Sequence, residues 1–144
     1  MSEPIFRAFS NKNKEWIDNF LVDMCGNIYI DDSYESGENF HIKKVKATLC
    51  RSTGKNIGKK ILFQFDIVRW FCRLEENEKV YNYYVCEWSE KYLQFYMRNI
   101  ININKELHWK DGNCPLAFFG STDDYEIIGS SLENPELLEK KQNG

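Results

Sequence analysis

The chain is short of the residues on which much protein chemistry depends, with two His, three Pro and eight Gly among 144 residues. So little Gly and Pro excludes a collagen-like or low-complexity chain, and a hydrophobic content of 42% with 15% aromatics supplies a core where a disordered chain would lack one. No apolar run approaches the roughly 20 residues that cross a bilayer. The opening Met1-Ser2-Glu3-Pro4-Ile5-Phe6-Arg7 has neither the basic start nor the apolar stretch of a secretory signal. A cytoplasmic protein with no membrane partner is expected. Cys25, Cys50, Cys72, Cys86 and Cys114 are an odd number without a Cys-x-x-Cys pair, which favours buried, reduced thiols over a disulfide framework or a zinc site. The length suits one domain, here residues 1–144.

What is present reads mainly as strand. Ile61, Phe63, Phe65 and Ile67 alternate through a β-branched and aromatic run ending near Cys72. The polar turn from Leu74 to Lys79 leads into Val80–Trp88, and together they read as a hairpin. A turn at Ser89-Glu90-Lys91 and a run from Tyr92 to Met97 extend it to a meander. Later come a turn at Lys110–Asn113, an apolar run at Leu116–Phe119, and a last strand at Tyr125–Gly129. Asn134-Pro135-Glu136 has the form of a helix start, with Asn as N-cap and Pro at the first helical position. Near the N-terminus, Trp16, Ile17, Phe20, Leu21 and Met24 fall at helical spacing. The rival reading is a pair of strands, Ile5–Phe9 and Glu15–Val22, joined by Asn11-Lys12-Asn13-Lys14.

A set of motifs runs through the chain in a fixed order. It begins with Phe6-Arg7-Ala8-Phe9, the polar turn Asn11–Lys14 and Trp16. Thr48-Leu49, Thr53-Gly54, Gly58-Lys59-Lys60-Ile61 and Asp66-Ile67-Val68 follow, and Glu126-Ile127-Ile128-Gly129 with Glu133-Asn134-Pro135-Glu136-Leu137-Leu138 closes the series. In this order they resemble the YopX family of phage and prophage proteins, with a weaker match from Arg73 to Asp124. Phe65 stands where the family usually has Gly, so a turn with positive φ is not expected there and the strand is expected to start at Ile61. The segment between Thr53-Gly54 and Gly58 is about two residues shorter than usual. Asn19 replaces a frequent Gly, which suits a left-handed bend between strands. The resemblance implies strands at the N-terminus and a mainly β fold, a small SH3-like barrel with accessory N-terminal strands and a short C-terminal helix. It assigns Thr53, Gly54, Gly58, Lys59, Ile61, Asp66, Ile67, Val68, Gly129, Asn134 and Pro135 to structural motifs, and it implies no particular chemistry.

Catalysis needs a base, and the two histidines, His41 and His108, sit among apolar neighbours with no nucleophile in an evident constellation. An enzyme using either is the minor reading, and neither a cofactor nor a metal is expected. Asp31, Asp32, Glu35 and Glu38 lack the ligand spacing of a calcium loop. Ser52–Lys60 has the residues of a phosphate loop in the wrong order, with no Ser or Thr after Lys59, so its glycines read as a hairpin turn.

Charge is distributed unevenly. Lys43, Lys44, Lys46, Arg51, Lys55, Lys59, Lys60, Arg69 and Arg73 face one acid, Asp66, in a segment of net +8, flanked by segments of −5 and −6. With Trp70, Phe71, Tyr81 and Tyr83 nearby, this segment is the candidate contact surface for nucleic acid or for an acidic protein. The expectation is a non-enzymatic phage or prophage accessory protein that binds another macromolecule. A nucleic-acid-binding module and a self-assembling homo-oligomer held by acidic ends against a basic middle are the alternatives.

Overall fold

The computed structural model describes residues 6–33, 37, 41–100, 114–116 and 125–138, with the backbone alone at Cys72 and Arg73. The chain is mainly β, with a curled half-barrel sheet and a short helical turn near its end. It divides into two compact units, Met1–Arg51 and Ser52–Gly144.

The first unit begins with a hairpin of β1 (Phe6–Ser10) and β2 (Glu15–Ile17). Its polar turn closes because the Ser10 carbonyl accepts from Lys14 N at 2.9 Å and the Ser10 hydroxyl from Asn13 N at 3.1 Å. Phe9 and Trp16 are cross-strand partners whose rings meet edge to face at 5.0 Å, and the Arg7 guanidinium lies 4.0 Å over the indole. This is the work of the opening Phe-Arg-Ala-Phe and its Trp. The helical spacing of residues 16–24 is therefore coincidental, since Leu21 and Met24, which should lie on the buried stripe, are 53% and 104% exposed. The left-handed residue falls on Lys14 (φ 56°) in the turn, and Asn19 makes an ordinary bend. β3 (Leu21–Val22), β4 (Ile28–Asp31) and β5 (Ile42–Val45) form a separate antiparallel sheet. Between β3 and β4, Asp23 accepts from the Asn27 side chain at 3.0 Å, from the backbone N–H groups of Asn27 and Cys25, both at 2.9 Å, and from the Tyr29 hydroxyl. Those donors, led by the Asn27 amide, hold its carboxyl at a pKa of about 2. The first five residues of β6 (Ala47–Ile57) pair with β1.

In the second unit the rest of β6 forms a hairpin with β7 (Lys60–Phe63), turning at Gly58 with φ 62°. The remaining strands are β8 (Asp66–Glu75), β9 (Glu78–Ser89), β10 (Gln94–Asn99), β11 (Cys114–Pro115) and β12 (Tyr125–Ser130), in the order β11-β10-β9-β8-β12. A β8–β9–β10 meander is present as expected, with its third strand starting at Gln94 and not at Tyr92, and Glu76 and Asn77 take positive φ in its tight first turn.

One expectation fails here. The run from Ile61 to Cys72 is two strands, because Gln64-Phe65 forms a turn with Phe65 at φ 75°. The conformation usually assigned to Gly is kept without Gly. Its cost is offset by Phe65 N donating to the Cys86 carbonyl at 2.7 Å and Ser131 N donating to the Phe65 carbonyl at 2.8 Å.

Alternation along β8 separates two apolar clusters. Val68 packs with Ile57, Leu62, Cys86, Met97 and Leu116 on one face, whereas Ile67 packs with Val85 and Ile100 on the other. The helical turn at 136–138 adds Leu137 and Leu138 to the second cluster. Asn134 begins that turn through its carbonyl, which accepts from Leu137 N at 3.1 Å, while its side-chain oxygen reaches back to accept from Ser130 N at 3.3 Å. A Cβ on Gly129 would stand 2.5 Å from that side-chain oxygen. Gly129→Ala is thus expected to displace Asn134 and to lower stability by about 1–2 kcal/mol. Denaturant unfolding checks this, and an unchanged midpoint would show that the Gly–Asn contact is dispensable.

The thiols are not uniformly buried as expected: Cys50 and Cys86 are buried, Cys114 is half-buried and Cys25 is exposed. Burial, reinforced by the negative charges of Asp66 and Glu87, pushes the Cys86 thiol far upward, so it packs as an apolar group. The turn expected at Lys110–Asn113, and all but Leu116 of the run at Leu116–Phe119, lie outside the described residues. Among the described residues no helix is long and apolar enough to cross a membrane.

Candidate binding surface

The Thr53-Gly54 motif makes a bulge. Ser52 pairs with Phe63 and Asn56 with Ile61, so Thr53, Gly54 and Lys55 on β6 stand opposite Leu62 alone on β7. Gly54 takes φ 77°, and hydroxyls hold the distortion in place. The Ser52 hydroxyl accepts from Gly54 N at 3.1 Å, whereas the Thr53 hydroxyl accepts from Lys55 N at 3.1 Å and donates to the Leu62 carbonyl at 2.8 Å. The bulge aims Lys55 at the end of β11, where its ammonium donates to the Leu116 carbonyl at 3.4 Å. Its charge is felt at Cys114, where it partly opposes the upward push of burial on the thiol.

Beside Lys55 lies a groove of about 340 Å³ lined by Thr53, Lys55, Trp88, Gln94, Phe95 and Leu116. That volume is at the small end of ligand pockets. Trp88 and Phe95 are direct partners across β9 and β10, with ring centroids 5.0 Å apart, edge to face. Among the described residues the groove thus sets one cation, one hydroxyl and one amide around an aromatic wall.

The nine basic candidates fall into groups. Lys43, Lys44, Lys46 and Arg51 belong to the first unit and are exposed. Lys55, Lys59 and Lys60 share the β6–β7 hairpin, Lys59 in its turn and Lys60 opposite Ile57. Arg69 lies on the other face of β8. Ile57 and Leu62 pack the hairpin onto the Val68 face, and residues alternate between faces. Its guanidinium is held by Glu126 at 2.7–2.8 Å and lies 4.5 Å over the Tyr81 ring; the Glu126 bond, chiefly, raises its pKa. Arg73 is placed by its backbone alone, opposite Val80.

The aromatic candidates also separate. Phe71, Tyr81 and Tyr83 form a chain of ring contacts beside Arg69, while Trp70 stacks on Tyr125 with centroids 6.1 Å apart. Among the motif residues, Ile67 and Val68 are core, and Asp66 is a buried carboxylate that accepts from Phe63 N at 2.8 Å. Ile61 is half-buried on β7.

Trp88, Gln94, Phe95 and Leu116 were not singled out by the sequence. The signal for two of them was the hairpin itself, since the first aromatic residues on either side of a β9–β10 turn centred on residues 90–93 become partners. Starting β10 at Tyr92 hides that pairing.

His41 is held through Nδ1 by the Asp32 carboxylate, and its backbone N donates to the Ser33 hydroxyl at 2.8 Å. Asp31 in turn bonds the Ser33 backbone and hydroxyl. The Ser33 hydroxyl thus meets the main chain of His41 on both its N–H and its carbonyl. His108, Glu35 and Glu38 lie outside the described residues. Among the described residues, no three His, Cys, Asp or Glu side chains gather as metal ligands.

No curated protein matches the chain. Among solved structures, the crystal structure of protein EF1440 from Enterococcus faecalis is similar in fold. It has a TM-score of 0.53 and 19% identity, covering 92% of this chain and 96% of the other. The model of the family described as YopX protein matches residues 5–139, so the resemblance carried by the Phe-Arg-Ala, Thr-Gly and Asn-Pro motifs is shown: the chain belongs to the YopX family.

Proposed function

We propose that the chain is a non-enzymatic accessory protein of a phage or prophage, acting in the host cytoplasm by binding an anionic macromolecule through its β6–β7 hairpin. The observation that carries this reading is the clustering of Lys55, Lys59 and Lys60 on one hairpin, with a bulge that directs Lys55 to the rim of an aromatic groove. Arg69 contributes less, because Glu126 already neutralises it.

Reversing the charge of the three hairpin lysines together, as Lys55→Glu, Lys59→Glu and Lys60→Glu, is the direct test. If the ligand is a single-stranded nucleic acid, each lysine that touches a phosphate adds about 0.7 to the slope of log affinity against log salt. The triple variant is expected to bind weakly and with a correspondingly shallower slope, and the pair Lys59→Glu and Lys60→Glu, which leaves the Lys55–Leu116 bond in place, to show part of the same loss at an unchanged unfolding midpoint. Recovering the tagged protein from induced host cells, with and without nuclease, then separates a nucleic-acid ligand from an acidic protein. Wild-type affinity and salt slope in the triple variant would rule the hairpin out as the contact surface.

A further inference from the structure

We infer that the ligand is single-stranded nucleic acid and that the groove beside Lys55 receives one unstacked base; this rests on the binding role proposed for the hairpin. The groove has the parts that a base and its phosphate require. Trp88 and Phe95 supply the π surface on which any base can stack. Gln94, at the same wall, donates from Nε2 to the Tyr96 hydroxyl at 3.5 Å, which orients its amide and leaves the second N–H as a donor and Oε1 as an acceptor for a base edge. Lys55 stands at the groove as the cation for the adjoining phosphate, and Lys59 and Lys60 continue along the same hairpin for the phosphates beyond it.

An acidic peptide would use the lysines, but it has no need of a paired aromatic wall and an amide in the same groove. A duplex would keep its bases stacked and leave the groove empty. The wall is also preorganised. Trp88 and Phe95 are fixed by direct cross-strand pairing, Phe95 packs on the buried cluster, and Thr53 is tied to both hairpin strands. Little conformational freedom is left to lose when a base enters.

The test compares three probes on the full chain at low salt: a short fluorescein-labelled oligothymidylate, an abasic phosphodiester of the same length, and polyglutamate of matched charge. The expected result is that oligothymidylate binds about tenfold more tightly than the abasic strand, the size of one base–aromatic stack. Binding should also quench tryptophan emission, and that quench should be lost in Trp88→Phe. Gln94→Ala, at a half-buried position, should narrow the spread of affinities among oligomers of different base while leaving the abasic affinity unchanged.

Equal affinity for the oligothymidylate and the abasic strand would overturn the base site while leaving the hairpin reading standing. Tighter binding of polyglutamate than of either strand would overturn nucleic acid as the ligand. Binding of none of the three would overturn both. The wild-type comparison needs no variant, so a Trp88→Phe chain that folds poorly does not rescue the inference.

Discussion

Leu62→Ala is expected to lower the free energy of unfolding by about 2–5 kcal/mol, the range for deleting a fully buried leucine side chain. Leu62 is 0% exposed and packs with Ile57, Val68, Cys86, Met97 and Leu116, the cluster that seats the β6–β7 hairpin on the sheet. Its carbonyl also receives the Thr53 hydroxyl, so one residue anchors both the hairpin and the bulge. Urea unfolding should show a lower midpoint with an unchanged slope. Leu62→Met, which nearly conserves volume, should cost less than about 1.5 kcal/mol. A loss under about 1 kcal/mol in the alanine variant would mean that the site collapses freely around the cavity. The binding consequence follows from the same geometry: a loosened Leu62 leaves Lys55 without a fixed position at the groove.

Asp66→Ala should be the second large effect, with a loss of about 1–3 kcal/mol. Asp66 is 2% exposed, and its carboxylate accepts from Phe63 N, itself in a residue only 6% exposed. Alanine leaves that donor buried without its acceptor, at the turn where Phe65 is held at positive φ. Asp66→Asn keeps an oxygen in place and should recover much of the loss. If the two variants unfold at the same midpoint, the hydrogen bond to Phe63 is not what makes Asp66 matter. The Asp-Ile-Val motif thus couples a polar turn fastening at its first residue to two core residues that point to opposite faces.

How far the sequence reveals this structure depends on the range of the deciding interaction. The β8–β9 hairpin was legible because its polar turn and the alternation on both sides are local. The N-terminal strands were not legible from periodicity, which favoured a helix; the deciding contact is Phe9 on Trp16 across a hairpin, and only the family motifs pointed to it. The split between β7 and β8 was hidden for a related reason. Phe65 is a poor residue for positive φ, and the bonds that hold it there come from Cys86 and Ser131, far along the chain. For the candidate site, the basic segment was legible by counting, but its division was not. Alternation along β8 and the packing of Ile57 and Leu62 on the Val68 face put Lys55 and Arg69 on opposite sides of one sheet. The groove is not legible in the sequence because half of its lining among the described residues comes from β9 and β10, which carry none of the segment's charge.

The bulge at Thr53–Lys55 also bears on how this protein can change by descent. A bulge takes up surplus residues on one strand without breaking the pairs on either side, here Ser52 with Phe63 and Asn56 with Ile61. Insertions and deletions beside it are therefore tolerated more readily than in a regular ladder. An even-numbered change preserves which face each later side chain occupies, whereas an odd one turns every later side chain over. A change of even length between Gly54 and Gly58 would therefore lengthen or shorten the basic hairpin, and with it the reach of Lys59, while Ile57 and Leu62 keep their places in the cluster beneath.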